Sequence, residues 1–180
     1  TATSSLLSDS PIFAAPLTIS LGIPHKQTFT EKNESGKKIE PDGSSGYFLG
    51  IKFPVGFGLG IDSYKTKFKG DTSKIVTLMY NVFYQFPIPV INITIGLDSG
   101  KTKLDCSACA EDYTDTESGK KTGYKAGEAR QWYTSFGIQL TSMIDIHMSY
   151  RTVTSKKIEQ VYSGTKENYS GTVKRIWFSI

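Results

Sequence analysis

Along most of this 180-residue chain, large apolar residues alternate with small or polar ones at every second position. The segment from Ile91 to Leu97 is the clearest case, because Ile, Ile, Ile and Leu alternate with Asn, Thr and Gly. A period of two places alternate side chains on opposite faces of a β-strand. No segment shows a convincing apolar period of 3.6 residues, so the sequence predicts an all-β protein.

Eight segments carry this alternation, and they are predicted to be the strands of one sheet. They cover 17–23, 47–53, 57–62, 76–86, 91–98, 132–140, 144–151 and 173–180. The connections alternate between tight turns and longer polar loops, the loops lying near 30–46, 69–74, 106–130 and 154–171. This layout is typical of a closed antiparallel up-and-down transmembrane β-barrel. We expect residues 14–180 to form the barrel and 1–13 to be an irregular periplasmic N-terminal lead.

The composition of the two strand faces favours lipid over water as the surroundings. One face is almost purely aliphatic and aromatic, and the other is rich in Gly, Ser, Thr and Asn. Small residues suit the narrow interior of an eight-stranded barrel. A soluble two-sheet sandwich is the alternative, but its outer faces would be unusually rich in glycine. The residues predicted to face lipid are Leu17, Ile19, Leu21, Leu49, Ile51, Leu59, Leu78, Ile93, Ile95, Ile138, Ile146, Met148 and Phe178.

Charged side chains share the predicted inner face. They are Lys52, Asp62, Asp98, Asp145, His147, Arg151 and Arg175. Because buried charges are costly unless they are paired, we expect a network of salt bridges in the lumen. Its favoured role is structural. A narrow gated pore, or a proton-sensitive element at His147, is the alternative.

Charge and composition exclude several other classes of protein. The net charge is +4, but the lysines are scattered among Glu and Asp, so the sequence predicts no nucleic-acid partner. No run of 18 apolar residues predicts a transmembrane helix. A basic leader followed by an apolar run is also absent, and we therefore expect a mature product from which a signal peptide has been removed.

The remaining candidate sites have weak patterns. Cys106 and Cys109 favour a small loop disulfide over free thiols, since one CxxC is half of a structural zinc site. Asp145, His147 and Ser149 share a face, but neighbours at this spacing lie about 7 Å apart along a strand. The acidic run of the third loop, Asp112, Asp115 and Glu117, is more typical of a solvated surface than of a cation site. The sequence thus predicts no catalytic residue, metal site or cofactor.

The strand pattern resembles that of small eight-stranded bacterial outer-membrane β-barrels, of the OmpA transmembrane domain, OmpX and NspA type. The final strand, Ile176 to Ile180, is similar to the terminal assembly signal of these proteins, although Ile180 replaces the usual aromatic residue. The resemblance implies a monomer in the outer membrane, surrounded by lipid and lipopolysaccharide. Its favoured role is structural, or interaction with host or other cell-surface ligands through the loops. A porin-like passive pore is the alternative, and a lipid-modifying enzyme is the third.

Overall fold

The structure, a computed structural model, describes residues 17–30, 36–37, 39–70, 72–86 and 88–180. Each strand pairs antiparallel with the next, and β1 pairs with β8, so the sheet closes into a barrel. The predicted fold class is therefore confirmed. The strands are β1 (Thr18–Phe29), β2 (Pro41–Lys52), β3 (Phe57–Phe68), β4 (Lys74–Phe86), β5 (Ile91–Asp105), β6 (Gly127–Gln139), β7 (Asp145–Glu159) and β8 (Lys166–Ser179). Among the residues described, no helix has the length and apolar character needed to cross a membrane.

The seam between the first and last strands is continuous down to the C-terminal residue. Ile19 and Ile180 exchange backbone hydrogen bonds of 3.0 and 2.9 Å. Higher on the seam, the register shifts between Pro24 and Lys26. A proline has no N–H for the ladder, and such a shift lets a strand absorb one.

The connections divide the barrel into two ends. We call the end with the short connections β2–β3, β4–β5 and β6–β7 the turn end. The opposite end, with the connections β1–β2, β3–β4, β5–β6 and β7–β8, is the loop end. The strand ends at Thr18 and Ser179 lie at the turn end.

The strands reach further toward the loop end than the apolar alternation indicates. Strand β2 begins at Pro41 and β6 at Gly127, inside the ranges 30–46 and 106–130 that were predicted to be loops. Strands β7 and β8 likewise occupy most of 154–171. Outward positions in these extensions carry Ser, Thr, Lys and Glu, so pairing continues after the apolar pattern has ended. The predicted lead at 1–13 lies outside the described residues.

The outer face of the barrel carries the predicted apolar residues. Leu59 and Met148 are 55% and 59% exposed, whereas the inward neighbours of Met148, His147 and Ser149, are each 1% exposed. Of the thirteen residues predicted to face lipid, Ile93 and Ile146 are half-buried and the others are exposed.

The inner face differs from the expected one, because aromatic rings fill much of it alongside glycines, hydroxyls and ions. The described residues form three apolar clusters inside the barrel: Phe48, Phe83, Tyr133 and Trp177; Tyr64, Met79, Ala129, Val153 and Val173; and Phe29, Phe68 and Ile75. Within each strand these residues occupy the inward positions, most of which hold small or polar residues. The alternation of the sequence therefore does not single them out as core residues.

Candidate functional site

A buried ion cluster lies at the centre of the barrel. Arg151 Nη1 on β7 donates to Asp62 Oδ2 on β3 over 2.8 Å, and Arg175 Nη1 on β8 forms an ion pair with the other carboxylate oxygen. All three side chains have no exposed area. Gln131 Nε2 also donates to Asp62 Oδ2, over 3.3 Å. One carboxylate therefore ties together strands that are distant in sequence.

Tyrosine rings support both guanidinium groups. The Arg151 guanidinium lies 3.9 Å from the centroid of the Tyr133 ring, and that of Arg175 lies 4.5 Å from the centroid of the Tyr64 ring. The Tyr64 hydroxyl donates to Gln131 Oε1 over 2.7 Å. Cation–π contacts of this kind strengthen when water is excluded, and together they hold the two cations in fixed positions.

A second carboxylate balances the charge of the interior. Asp98 is 5% exposed and accepts a hydrogen bond of 2.5 Å from Asn81 Nδ2. The Tyr133 hydroxyl donates to Asn81 Oδ1 over 3.2 Å. Among the residues that the structure describes, the deeply buried carboxylates are Asp62 and Asp98, and the deeply buried guanidinium groups are those of Arg151 and Arg175. Their formal charges cancel, which suits a low-dielectric interior.

The other predicted lumen charges lie closer to the turn end and outside this cluster. His147 stacks on Trp177 with ring centroids 3.6 Å apart, and its Nε2 is 2.6 Å from the Ser179 hydroxyl. Asp145 accepts a hydrogen bond of 2.9 Å from Asn92, and Lys52 is half-buried near the same mouth. The structure therefore brings together Asp62, Arg151 and Arg175 and places Asp98 beside them. The other three predicted lumen charges, Lys52, Asp145 and His147, lie apart from this cluster.

The inward glycines make room for rings on the neighbouring strand, a relationship that the sequence analysis missed. In the strand register Gly58 is opposite Phe83, Gly96 is opposite Tyr133, and Gly137 is opposite His147. A Cβ atom at any of these glycines would overlap the facing ring. The sequence places these rings on the inner face, but which glycine lies opposite which ring can be seen only once the register is known.

Replacing Gly96 with alanine is expected to lower the free energy of unfolding by about 1–3 kcal/mol, because overpacking displaces the Tyr133 ring that supports Arg151. Denaturant titration of the refolded protein measures this decrease in the free energy of unfolding. Ser99→Ala, at an outward position of the same strand, is the control and should change stability by less than about 0.5 kcal/mol. Alanine in an unobstructed strand normally stabilises relative to glycine, so a more stable Gly96→Ala variant would show that the interior is loosely filled.

The structure does not assemble a catalytic triad from Asp145, His147 and Ser149. The Ser149 hydroxyl accepts a 2.8 Å hydrogen bond from Arg151 Nε, while His147 bonds to Ser179 and Asp145 bonds to Asn92. Each potential catalytic group is thus engaged with a different structural partner. Within the described part of the chain, no group of His, Cys, Asp and Glu residues is arranged to hold a metal ion.

A cup of about 1020 Å³ opens at the loop end. Its lining includes Phe68, which belongs to the uppermost apolar cluster of the lumen, and Leu104 and Tyr169, which pack against that cluster. The wall includes Cys106 and Cys109, which form a disulfide in the structure. The lining also includes Glu40, Lys69 and Thr122, so the cup combines apolar side chains with charged and hydroxyl-bearing ones.

The acidic run of the β5–β6 loop is held by its own hydrogen bonds. Asp115 Oδ2 accepts from the Ser118 hydroxyl over 2.6 Å and from the Ser118 amide over 3.1 Å. These hydrogen bonds, the one from the hydroxyl being the stronger influence, lower the pKa of the Asp115 carboxyl. Asp112 and Glu117, predicted with Asp115 to lie on a solvated surface, are exposed.

Comparisons with known proteins identify the fold. Neisserial surface protein A (NspA), whose crystal structure is known, aligns with a TM-score of 0.64 and 12% sequence identity over 91% of this chain and 96% of that chain. The two chains share one fold. The resemblance to small eight-stranded outer-membrane barrels is thereby confirmed. The structure of Ail from Yersinia pestis, in complex with the heparin analogue sucrose octasulfate, aligns with a TM-score of 0.42 and 12% identity over 90% of this chain and 95% of that chain. No family model and no curated protein matches the sequence.

Proposed function

We propose that this protein is an outer-membrane barrel with a structural or surface-interaction role, its loop end outside the cell and its turn end in the periplasm. The observation that carries the proposal is the band of exposed apolar side chains around a closed barrel whose interior is filled by charged, polar and aromatic side chains. Such a band exceeds the apolar patches of a few hundred Å² that monomeric soluble proteins expose. Strands of 12–15 residues are long enough to cross a bilayer at a tilt.

Aromatic residues border the apolar band on both sides, which supports this orientation. Phe53, Phe57, Tyr84, Phe86 and Phe178 lie toward the turn end on the outer face, where Phe57 is 56% exposed. Tyr47, Tyr80, Trp132 and Tyr150 lie nearer the loop end, where Tyr80 is 67% exposed. Rings at both membrane–water interfaces are characteristic of transmembrane barrels.

The filled lumen favours a structural role over a passive pore. Arg151, Arg175, Tyr64, Tyr133 and Trp177 are each at most 1% exposed. Because these large side chains pack across the barrel axis, an ion would have to displace a neutral, hydrogen-bonded cluster in order to pass. The loop end, with its cup and its long β5–β6 connection, is then the working surface for cell-surface ligands. Catalysis has no support from the separate hydrogen bonds of Asp145, His147 and Ser149.

Planar-bilayer recordings test this proposal directly. The refolded protein should insert without producing unitary conductance steps, because the central cluster occludes the lumen. Insertion is verified independently by heat-modifiable migration of protein recovered from vesicles. Reproducible single-channel steps from such protein would instead support the passive pore. Recovery of the native protein as a stable monomer in detergent-free buffer would contradict the membrane assignment itself.

A further inference from the structure

Each of the three short connections at the turn end carries an exposed apolar residue. They are Val55 between β2 and β3, Val90 between β4 and β5, and Met143 between β6 and β7, which are 62%, 73% and 73% exposed. Tight turns usually hold Gly, Pro, Asn, Asp or Ser. No Asp, Glu, Lys or Arg occurs in the three connections, at 53–56, 87–90 and 140–144. The tips of this end are therefore apolar where a turn in water would be polar.

Val90 is held in a conformation that its side chain disfavours. Its φ is 72°, in the left-handed region where Gly, Asn and Asp are the usual residues and a β-branched residue is an outlier. Backbone strain of this kind clusters at functional positions. An isopropyl group exposed to water gives nothing in return for the strain, because apolar surface is stabilised by leaving water. The position therefore indicates that Val90 contacts an apolar phase.

The turns also supply partners for their own backbone groups, as a segment near hydrocarbon must. The amides of Met143 and Ile144 both donate to the Thr141 hydroxyl, over 3.3 and 3.1 Å. Pro54 and Pro89 have no N–H that would need a partner. The backbone of these turns therefore depends little on water.

The height of the apolar band brings its lower edge to the turns. On β3, Lys65 is the first outward charge above Phe57, and this offset of eight residues corresponds to about 20 Å along the membrane normal at a strand tilt of about 40°. On β5, the offset of ten residues between Ile91 and Lys101 corresponds to about 25 Å. The apolar band of transmembrane barrels is about 25 Å tall. A band whose upper edge lies at Lys65 and Lys101 therefore extends to the strand ends, and the turn tips lie at its lower boundary.

We propose that the three turns insert into the interface of the inner leaflet, where Val55, Val90 and Met143 contact phospholipid acyl chains. The inference rests on the proposed function, which places this end on the periplasmic side of the membrane. The distribution of the tips selects lipid over a protein partner. The turns recur at every second strand around the barrel, and the exposed Ile180 occupies the remaining gap, at the seam of β1 and β8. A docked protein or a second copy of the chain would cover one side, whereas a leaflet surrounds them all.

Single tryptophans at two turns on opposite sides of the barrel test the proposal. Val55→Trp and Met143→Trp are each combined with Trp132→Phe and Trp177→Phe, refolded into phosphatidylcholine vesicles and scored for folding by heat-modifiable migration. Each should lose most of its emission to bromine near the headgroup end of the acyl chain, less to bromine near the terminal methyl, and little to iodide present on both sides of the membrane. Thr116→Trp, in the same background, is the matched control at an exposed position of the β5–β6 loop. It should be quenched by iodide and not by bromine.

The outcomes separate this inference from the proposal on which it rests. Quenching of both turns by iodide instead of bromine overturns it and places the turn end in water. Bromine quenching at one turn alone also overturns it, because the surroundings would then differ between the two sides. If either variant fails to fold, Ile88→Trp at the third turn takes its place. The Trp177→Phe protein, which keeps Trp132, reports the membrane assignment separately. If bromine quenches Trp132 but not the turns, only the depth of the turns is refuted, whereas a Trp132 reached by iodide alone refutes the membrane assignment.

Discussion

Replacement of Asp62 by alanine is expected to lower the free energy of unfolding by about 3–5 kcal/mol, because two buried guanidinium groups lose their shared counter-ion. The carboxylate that remains in the interior, Asp98, is held by Asn81. A titration with guanidinium chloride in phospholipid vesicles, in which heat-modifiable migration reports the folded fraction, gives the difference in free energy of unfolding between the variant and the wild type. This is the largest single-residue effect on stability that we expect.

Two comparison variants show whether the loss arises from the unpaired cations. Asp42→Ala removes a carboxylate that is 59% exposed and lies 3.9 Å from Lys67 Nζ, so it should cost less than about 1 kcal/mol. The triple variant Asp62→Leu, Arg151→Met, Arg175→Met removes every charge of the cluster and should recover most of the stability lost by Asp62→Ala, since apolar replacements of buried ion networks are often neutral. An Asp62→Ala protein as stable as Asp42→Ala would show that the cluster is hydrated.

An arginine in place of Leu49 is expected to cost about 2–4 kcal/mol when the barrel is folded in a bilayer, because the charge is forced into hydrocarbon. Leu49 is 44% exposed on β2, between Tyr47 and Phe53 on the outer face. In water the same exposed position would accept arginine with little change. Equilibrium unfolding of protein inserted in vesicles measures the cost.

Ser45→Arg is the matched control for this substitution. Ser45 lies on the same strand and face as Leu49, but it is paired with Lys65 beyond the apolar band. The added charge there remains in water, so the change should be within about 1 kcal/mol. Equal costs at the two positions would mean that the apolar band is not surrounded by lipid.

The sequence predicts the architecture because the side chains of a β-strand alternate between two faces, and this period of two can be read directly from the residues. When apolar residues occupy every second position, as from Ile91 to Leu97, they define both the strand and the face on which each side chain lies. The same parity places Asp62, Asp98, Arg151 and Arg175 inside the barrel. Short connections such as the one after Lys52 join neighbouring antiparallel strands, and the up-and-down topology follows.

The partners of these inner residues could not be predicted. The alternation along a strand shows which side chains point inward, but the register between strands decides which of them meet. Arg151 and Asp62 are 89 residues apart in sequence. Their side chains meet only because the sheet closes around the lumen. The pairing of Gly96 with Tyr133 depends on the alignment of β5 with β6 in the same way. The strand ends nearest the loops were not predicted, for a different reason. Their outward positions lie beyond the apolar band and are polar, so the sequence shows no apolar alternation there although the backbone is paired.

Fluorescence quenching of the two tryptophans by brominated lipid acyl chains tests the arrangement of the faces most directly. Trp132 is 53% exposed on the outer face and Trp177 is 1% exposed inside, and the chain holds no other tryptophan. In vesicles, the Trp177→Phe protein, which keeps only Trp132, should be strongly quenched, and the Trp132→Phe protein, which keeps only Trp177, should be quenched weakly. Strong quenching of Trp177, or a Trp132 that bromine leaves bright and aqueous iodide quenches, would contradict a barrel with its apolar face in lipid.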